Sequence, residues 1–185
     1  MEPTRQLDVI IPALEATVDR IQGMQMNDPT PCSEFTVHDV LNHMMVGGGT
    51  FSYMFRGEDP PHLTPPPVYG WVPKKEFCEV MDDLLDSVHS PGAMERPISS
   101  PVGEVSGETF ARFVAVDGLI HGWDLATATG TTFEVPDDVV AEVDEFARTA
   151  ITPELRENGM FAAPTAAPPD TSPLERLVAF SGRTL

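Results

Sequence analysis

Apolar side chains recur every three or four residues along most of the chain. That spacing puts them on one face of an α-helix, so it predicts a series of amphipathic helices. The predicted helices cover residues 7–21, 36–56, 74–88, 106–128, 136–147 and 172–180. Residues 57–70 and 159–171 are rich in proline and are predicted connectors, while 93–105 hold only one or two short extended pieces. Because so little strand pattern is present, we predict an all-α fold in one domain over residues 1–185.

The second predicted helix has an unusual middle. Thr36 and Asp39 form the pattern of a capping box that begins it, with Asp in place of the usual Glu. The three glycines 47–49 follow, and each costs a helix about 1 kcal/mol relative to alanine. The apolar pattern resumes after them, so we predict one continuous helix to about Arg56. In the first helix, Pro12 predicts either a position near the first turn or a kink.

The charge balance narrows the function classes. The chain has 29 acidic and 11 basic side chains, for a formal net charge of −18. This balance disfavours binding to nucleic acid or to an anionic membrane surface, because both need clustered Lys and Arg. No apolar run approaches the roughly 20 residues of a membrane span, and no signal-peptide pattern opens the sequence. The two cysteines, Cys32 and Cys78, form no disulfide framework, so we expect a cytoplasmic protein.

One acidic and one basic side chain lie inside an otherwise apolar helix. Asp117 and His121 are four residues apart in the fourth predicted helix, so they share one face with its apolar stripe. His43 lies within the second helix beside the glycines. If the two helices face each other, His43, Asp117 and His121 converge, and two imidazoles with one carboxylate can bind a divalent metal with a position left open. The alternative is a hydrogen-bonded or exposed pair, since Asp-x-x-x-His is common on helices.

The other candidate residues have more ordinary interpretations. Asp124 lies three residues after His121 and could orient that imidazole, or it could be a solvated acidic residue. We interpret the remaining histidines as surface residues: His38, His62 and His89. Cys32 precedes a helix start, but nothing else in the sequence favours a reactive thiolate there.

Three segments resemble a known family, in the family's order and over nearly the whole chain. Residues 30–43, TPCSEFTVHDVLNH, are similar to the TPC-x-x-W-T-V-x-D-L-L-N-H signature of actinobacterial DinB/YfiT-like metal-binding proteins, with glycines 47–49 where that group has its Gly pair. Residues 117–126, DGLIHGWDLA, resemble its E/D-x-x-x-H-G-W-D-L-A segment. Residues 173–183, PLERLVAFSGR, resemble its closing D-R-L-L-A-x-x-G-R.

The resemblance implies a DinB-like, up-down-down-up four-helix bundle with short extra helices and one divalent ion, often zinc or nickel. It carries metal-ligand roles onto His43, Asp117 and His121. The carboxylate position is generally Glu in the related mycothiol-dependent maleylpyruvate isomerases, whose N-terminal domain this group resembles. Those isomerases append a second domain for which 185 residues leave no room, so maleylpyruvate isomerisation itself is not implied.

More broadly, the resemblance implies chemistry on a low-molecular-weight thiol such as mycothiol. A metal with an open position lowers the pKa of a thiol, and the thiolate can attack an electrophile. Gly48 and Gly49 would let the bulky thiol approach the second helix. We therefore predict a thiol-dependent transferase whose partners are a small-molecule thiol and an electrophile. Two alternatives stay open, a non-catalytic metal- or ligand-binding module and a hydrolase using metal-bound water. The sequence also permits a homodimer.

Overall fold

Seven α-helices and one β-hairpin make up the regular structure of the described residues. The computed structural model describes residues 1–61, 71–100 and 103–185. The helices are α1 (Pro3–Arg20), α2 (Val37–Arg56), α3 (Lys74–Val88), α4 (Gly107–Thr129), α5 (Asp137–Ala150), α6 (Pro153–Glu157) and α7 (Pro173–Ser181). The strands β1 (Pro97–Ser100) and β2 (Gly103–Ser106) pair antiparallel. The all-α prediction is confirmed, and the extended pieces predicted within 93–105 are this hairpin.

Four helices surround the main core. α1 packs against α3 and α4, and α2 packs against the same two helices, so the contacts close a ring. α5 packs on α4, and α7 packs on both α4 and α5. α4 therefore has neighbours on most of its surface, which explains why its sequence is apolar nearly all the way round. The largest fully buried side chains include Phe55, Phe77, Leu41, Leu119 and Leu125.

α2 is continuous through its glycines, as predicted. The Thr36 hydroxyl accepts a bond from the backbone N–H of Asp39, and the Asp39 carboxylate accepts one from the Thr36 N–H at 2.9 Å. Gly57, with φ of +75°, ends the helix in the left-handed region that favours glycine. A Cβ on Gly48 would lie 2.9 Å from a methyl of Val80. The glycine therefore lets α3 approach α2 closely.

α4 begins and ends where its sequence predicts. The Ser106 hydroxyl accepts a hydrogen bond from the Thr109 N–H, and Gly130 ends the helix with φ of +63°. A Cβ on Gly118 would lie 3.0 Å from Ile10 of α1, so this glycine also sits at a close helix contact. Asp117, its neighbour, is half-exposed and turns towards α2.

Some details differ from the sequence predictions. Of the two alternatives for Pro12, a position near the first turn is excluded, because Pro12 lies well inside α1. The short helix α6 had no counterpart among the predicted helices. The solvated position predicted for His38 is wrong: only 13% of its side chain is exposed. The backbone N–H of His38 donates to the carbonyl of Met26. His89 is exposed beside Asp8, as predicted.

The predicted connector 57–70 lies mostly outside the described residues. These begin again at Trp71, so His62 and residues 63–70 lie outside them as well. Within the described part of the chain, no helix combines the length and apolar character needed to cross a membrane.

Candidate metal centre

The three predicted ligand residues come together between α2 and α4. Nε2 of His43 lies 3.3 Å from Oδ1 of Asp117, and Nε2 of His121 lies 3.5 Å from the same oxygen. The two imidazole rings meet edge to face, with centroids 4.8 Å apart. All three ligand atoms lie within 4.8 Å of one another. The chain therefore has a group of residues that could hold a metal ion.

These separations fit a tetrahedral cation. An ion with metal–ligand bonds of about 2.1 Å holds neighbouring ligand atoms about 3.4 Å apart. The two distances to the Asp117 oxygen, 3.3 and 3.5 Å, bracket that value. Three protein ligands leave the fourth position open, which is the arrangement of catalytic rather than structural zinc sites. His43 and Asp117 both face the adjacent cavity, and this is why they are half-exposed although they lie between helices.

A second set of contacts fixes the His121 ring. Nδ1 of His121 lies 3.0 Å from Oδ2 of Asp124, whose side chain is fully buried. Because a carboxylate can only accept, Nδ1 carries the proton, and Nε2, which faces Asp117, is the nitrogen left to bind a metal. Arg183 donates from Nη2 to Oδ2 of Asp124 at 2.8 Å and from Nε to Oδ1 at 3.2 Å. This is the orienting arrangement proposed from sequence for Asp124, and it excludes the solvated alternative.

The ligand residues shift one another's pKa values. The hydrogen bond to Asp117 raises the pKa of His43 above its ordinary value, against the opposing effect of burial. Burial raises the pKa of Asp117, but the nearby imidazoles of His121 and His43 outweigh it and bring the pKa below its ordinary value. Without a metal, a proton on His43 is therefore stabilised by the Asp117 carboxylate. A metal must displace that proton in order to bind.

A cavity of about 570 Å³ opens beside the three ligands. Its polar lining includes His43, Asp117, His121 and Arg183. Its apolar walls include Phe35, Phe51, Phe110, Phe113 and Phe161. The volume is large enough for a small-molecule ligand, and sites of this kind combine apolar walls with a few placed polar groups.

The comparisons with known proteins place the chain in a family without assigning it an activity. The chain is 32% identical over 174 residues to the uncharacterized protein Rv0738 of Mycobacterium tuberculosis (strain ATCC 25618 / H37Rv), over 94% of this chain and 93% of that protein. The uncharacterized protein MT0763 of the CDC 1551 / Oshkosh strain matches to the same extent. The chain belongs to the family of these two mycobacterial proteins. No protein-family model and no solved structure matches it.

Cys32 also lies close to His121. A ligand atom of Cys32, one of His121 and one of Asp124 form a second group within 4.8 Å. In this group both Asp124 oxygens already accept bonds from Arg183 and His121. Burial raises the pKa of the Cys32 thiol, as do the charges of two aspartates, and Arg183 only partly opposes this. Cys32 is thus a protonated thiol on the cavity wall, in agreement with the absence of nucleophile signals in the sequence.

The glycines predicted to contact a cofactor lie away from the described lining of this cavity. Gly48 is buried against α3, where Val80 and Met81 leave no room for a side chain. Gly49 is partly buried on the next position of α2. A thiol contact at Gly48 or Gly49 stays a prediction, and the packing of α2 on α3 already gives Gly48 a structural reason.

Sequence reasoning did not place Arg183 or the start of the predicted connector 159–171. Residues 159–162 and Arg183 both line the cavity. Arg183 follows Gly182, whose φ of +106° turns the chain out of α7. The sequence signal for Arg183 was that it closes the last segment resembling DinB/YfiT-like proteins. Its partner Asp124, 59 residues away on α4, is set by tertiary packing.

Proposed function

We propose that the protein is a metal-dependent transferase that uses a low-molecular-weight thiol, with mycothiol as the candidate cosubstrate. The observation that carries this proposal is a set of three ligand atoms within 4.8 Å of one another, both nitrogens at near-tetrahedral spacing from the Asp117 oxygen, at the wall of a cavity of about 570 Å³. An open metal position beside a ligand-sized cavity suits catalysis or ligand binding better than a purely structural ion. The resemblance to DinB/YfiT-like proteins supplies the thiol.

The same resemblance supports an up-down-down-up order for α1 to α4. The ring of packing among these four helices is consistent with such a bundle. In the bundle, the metal residues come from α2 and α4, which contact each other directly. Two imidazoles and one carboxylate are ligands that suit zinc and nickel, so we propose one of these ions. Both cysteines are free thiols, which agrees with the proposed cytoplasmic location. A homodimer stays a prediction.

Different residues have different roles in the proposed reaction. His43, Asp117 and His121 would hold the divalent ion, which when bound lowers the pKa of a thiol. Asp124 keeps His121 in the tautomer that presents Nε2. The phenylalanines of the cavity exclude water from the bound electrophile. In the transfer, the thiol sulfur forms a bond to an electrophilic carbon, the leaving group departs with the bonding electron pair, and the thiol proton goes to solvent.

The test is a thiol-transfer assay with the metal-loaded protein. Purified protein is loaded with zinc or nickel, its metal content is measured, and mycothiol is added with 1-chloro-2,4-dinitrobenzene. We expect formation of the thioether, with release of chloride, to be faster than without protein. His121→Ala removes a ligand and should return the rate to that baseline, whereas His89→Ala, on the surface, should not.

The same assay separates the alternatives left open by the sequence. A rate equal to the baseline at full metal content argues against a transferase acting on this electrophile and favours the binding module. Release of 2,4-dinitrophenol at the same rate with and without mycothiol favours the hydrolase, since water would then supply the oxygen.

A further inference from the structure

One cation faces the cavity beside the proposed metal ligands. Of the lining residues in the described part of the chain, Arg183 alone carries a permanent positive charge. Its side chain is only 12% exposed, and it lines the same cavity as Cys32 and Asp117. An interior arginine in a protein with 29 acidic and 11 basic side chains calls for a specific reason.

Arg183 has hydrogen-bonding capacity left over. Nε and Nη2 donate to the two oxygens of Asp124, which fixes the plane of the guanidinium. Within residues 1–61, 71–100 and 103–185, Nη1 donates no hydrogen bond to another residue. A guanidinium has five N–H donors, so at least the two on Nη1 are available to a molecule in the cavity. The Asp124 carboxylate thus presents Arg183 to the cavity already oriented, at no cost to a ligand.

The charges favour an anionic ligand. Asp117 and Asp124 carry two negative charges and Arg183 one positive charge, so these groups with a divalent ion and neutral imidazoles have a net charge of about +1. The remaining walls are mainly apolar and aromatic. A ligand that complements both features has an apolar body and one anionic group, which accepts hydrogen bonds from the fixed guanidinium of Arg183.

We propose that Arg183 binds the anionic group of the second substrate, and that this substrate is an apolar carboxylate whose body packs among the cavity phenylalanines. Guanidinium N–H groups bind carboxylates with short, charge-assisted hydrogen bonds. The inference rests on the proposed function in taking this cavity as the substrate site and in counting the divalent ion among its charges. It concerns binding and not turnover, so it can fail while the thiol chemistry stands.

The experiment compares two probes with the same body. Isothermal titration calorimetry measures the binding of 3-phenylpropanoate and of its uncharged amide, 3-phenylpropanamide, to zinc-loaded protein. We expect the carboxylate to bind about tenfold or more tightly than the amide, because one charge-assisted hydrogen bond is worth at least that ratio. Arg183→Gln should abolish the preference. Arg176→Gln, which removes an exposed arginine of α7, should leave it unchanged.

A second variant guards against a folding defect. Arg183→Gln leaves Asp124 buried without its cationic partner, whereas the double variant Arg183→Gln/Asp124→Asn removes both charges and keeps an amide oxygen for His121. The zinc content of each variant is measured beside the titration. The double variant should also lose the preference for the carboxylate. A zinc-loaded variant without Arg183 that still prefers the carboxylate overturns the proposal, because the ion would then be the contact.

Two measurements need no variant. A crystal structure of the wild-type complex supports the proposal if the carboxylate lies on Nη1 of Arg183, and overturns it if the carboxylate lies on the ion alone. If the wild-type protein binds no zinc, the proposed function fails, and the titration of metal-free protein still decides the role of Arg183. Equal binding of the two probes by wild-type protein overturns the inference in either case.

Discussion

Nδ1 of His121 donates a hydrogen bond to the buried carboxylate of Asp124 over 3.0 Å. This one contact determines which ring nitrogen is free, so Nε2, which faces Asp117, is the nitrogen left to bind a metal. Arg183, which follows α7, completes the arrangement by donating hydrogen bonds to both oxygens of Asp124. The orientation of the candidate metal ligand thus depends on a residue that never contacts the metal position.

Asp124→Asn should weaken zinc binding about 10-fold to 100-fold, the usual cost of losing a carboxylate behind a ligating imidazole. The amide oxygen still accepts from Nδ1 but no longer raises the basicity of the ring. Competition with a chromophoric chelator measures the affinity. Asp8→Asn, which changes the carboxylate beside the exposed His89, is the matched control and should have no effect. An unchanged affinity in Asp124→Asn would contradict an orienting role.

His121→Ala should reduce bound zinc from about one equivalent to less than about a tenth, since two ligands rarely hold the ion at ordinary concentrations. Elemental analysis after desalting gives the stoichiometry. His89→Ala removes an exposed imidazole that pairs with Asp8 and should keep the wild-type value. Equal zinc in the two variants would place the ion elsewhere.

Zinc affinity should rise with pH and level off once His43 has lost its proton. The contact with Asp117 raises the pKa of His43 above its usual 6.5, so the proton that zinc must displace is held more firmly. Affinities measured between pH 5.5 and 8.5, a range chosen around the reference value of about 6.5, test this. In metal-free protein, Asp117→Asn removes the cause of the raised pKa and should move the His43 titration, followed by NMR, to lower pH. An affinity independent of pH would exclude His43 as a ligand.

The same pair predicts a pH window for the stability of the metal-free protein. The raised pKa of His43 contributes stability that is fully present below 6.5 and is lost as the pH rises through its folded value. The lowered pKa of Asp117 contributes stability present above 3.8 and lost as the pH falls through its folded value. Both contributions are therefore present between these two values. Chemical denaturation of wild-type protein and Asp117→Asn should differ most inside the window and converge outside it.

Gly107→Ala should destabilise the fold by about 3 kcal/mol or more, because the new methyl would lie 1.8 Å from the carbonyl oxygen of Ala93 and the backbone must move. Urea denaturation measures the loss. Gly23→Ala is the matched control: no atom outside its neighbourhood lies within 4 Å of a Cβ there, so its effect should stay within about 0.5 kcal/mol. Equal stabilities would mean that the hairpin and the start of α4 adapt freely.

Cys32→Ser should leave zinc stoichiometry unchanged. The Cys32 thiol lies near His121, but burial raises its pKa and Asp124 is already occupied by Arg183. A serine hydroxyl preserves the size of the side chain. Loss of zinc from this variant would show that the ion is bound at the second group of potential ligands and not at His43, Asp117 and His121.

Local sequence patterns were sufficient for most of the helices. The capping residues Thr36, Ser106 and Ser172 begin their helices as predicted, since each hydroxyl satisfies a backbone N–H of the first turn. The continuity of α2 through three glycines was also predictable, because the helical pattern of apolar residues resumes after them. The position of Pro12 was not, since a proline at that place only limits where a helix can bend.

The sequence by itself determined the pairing of Asp117 with His121, because residues four positions apart on an α-helix lie on the same face. Only the tertiary structure decided that His43 meets them, that Cys32 lies close to His121, and that Arg183 holds Asp124 from 59 residues away. The physical reason is that helical periodicity fixes neighbours within one element. Which faces of different helices meet depends on the packing of all their side chains together.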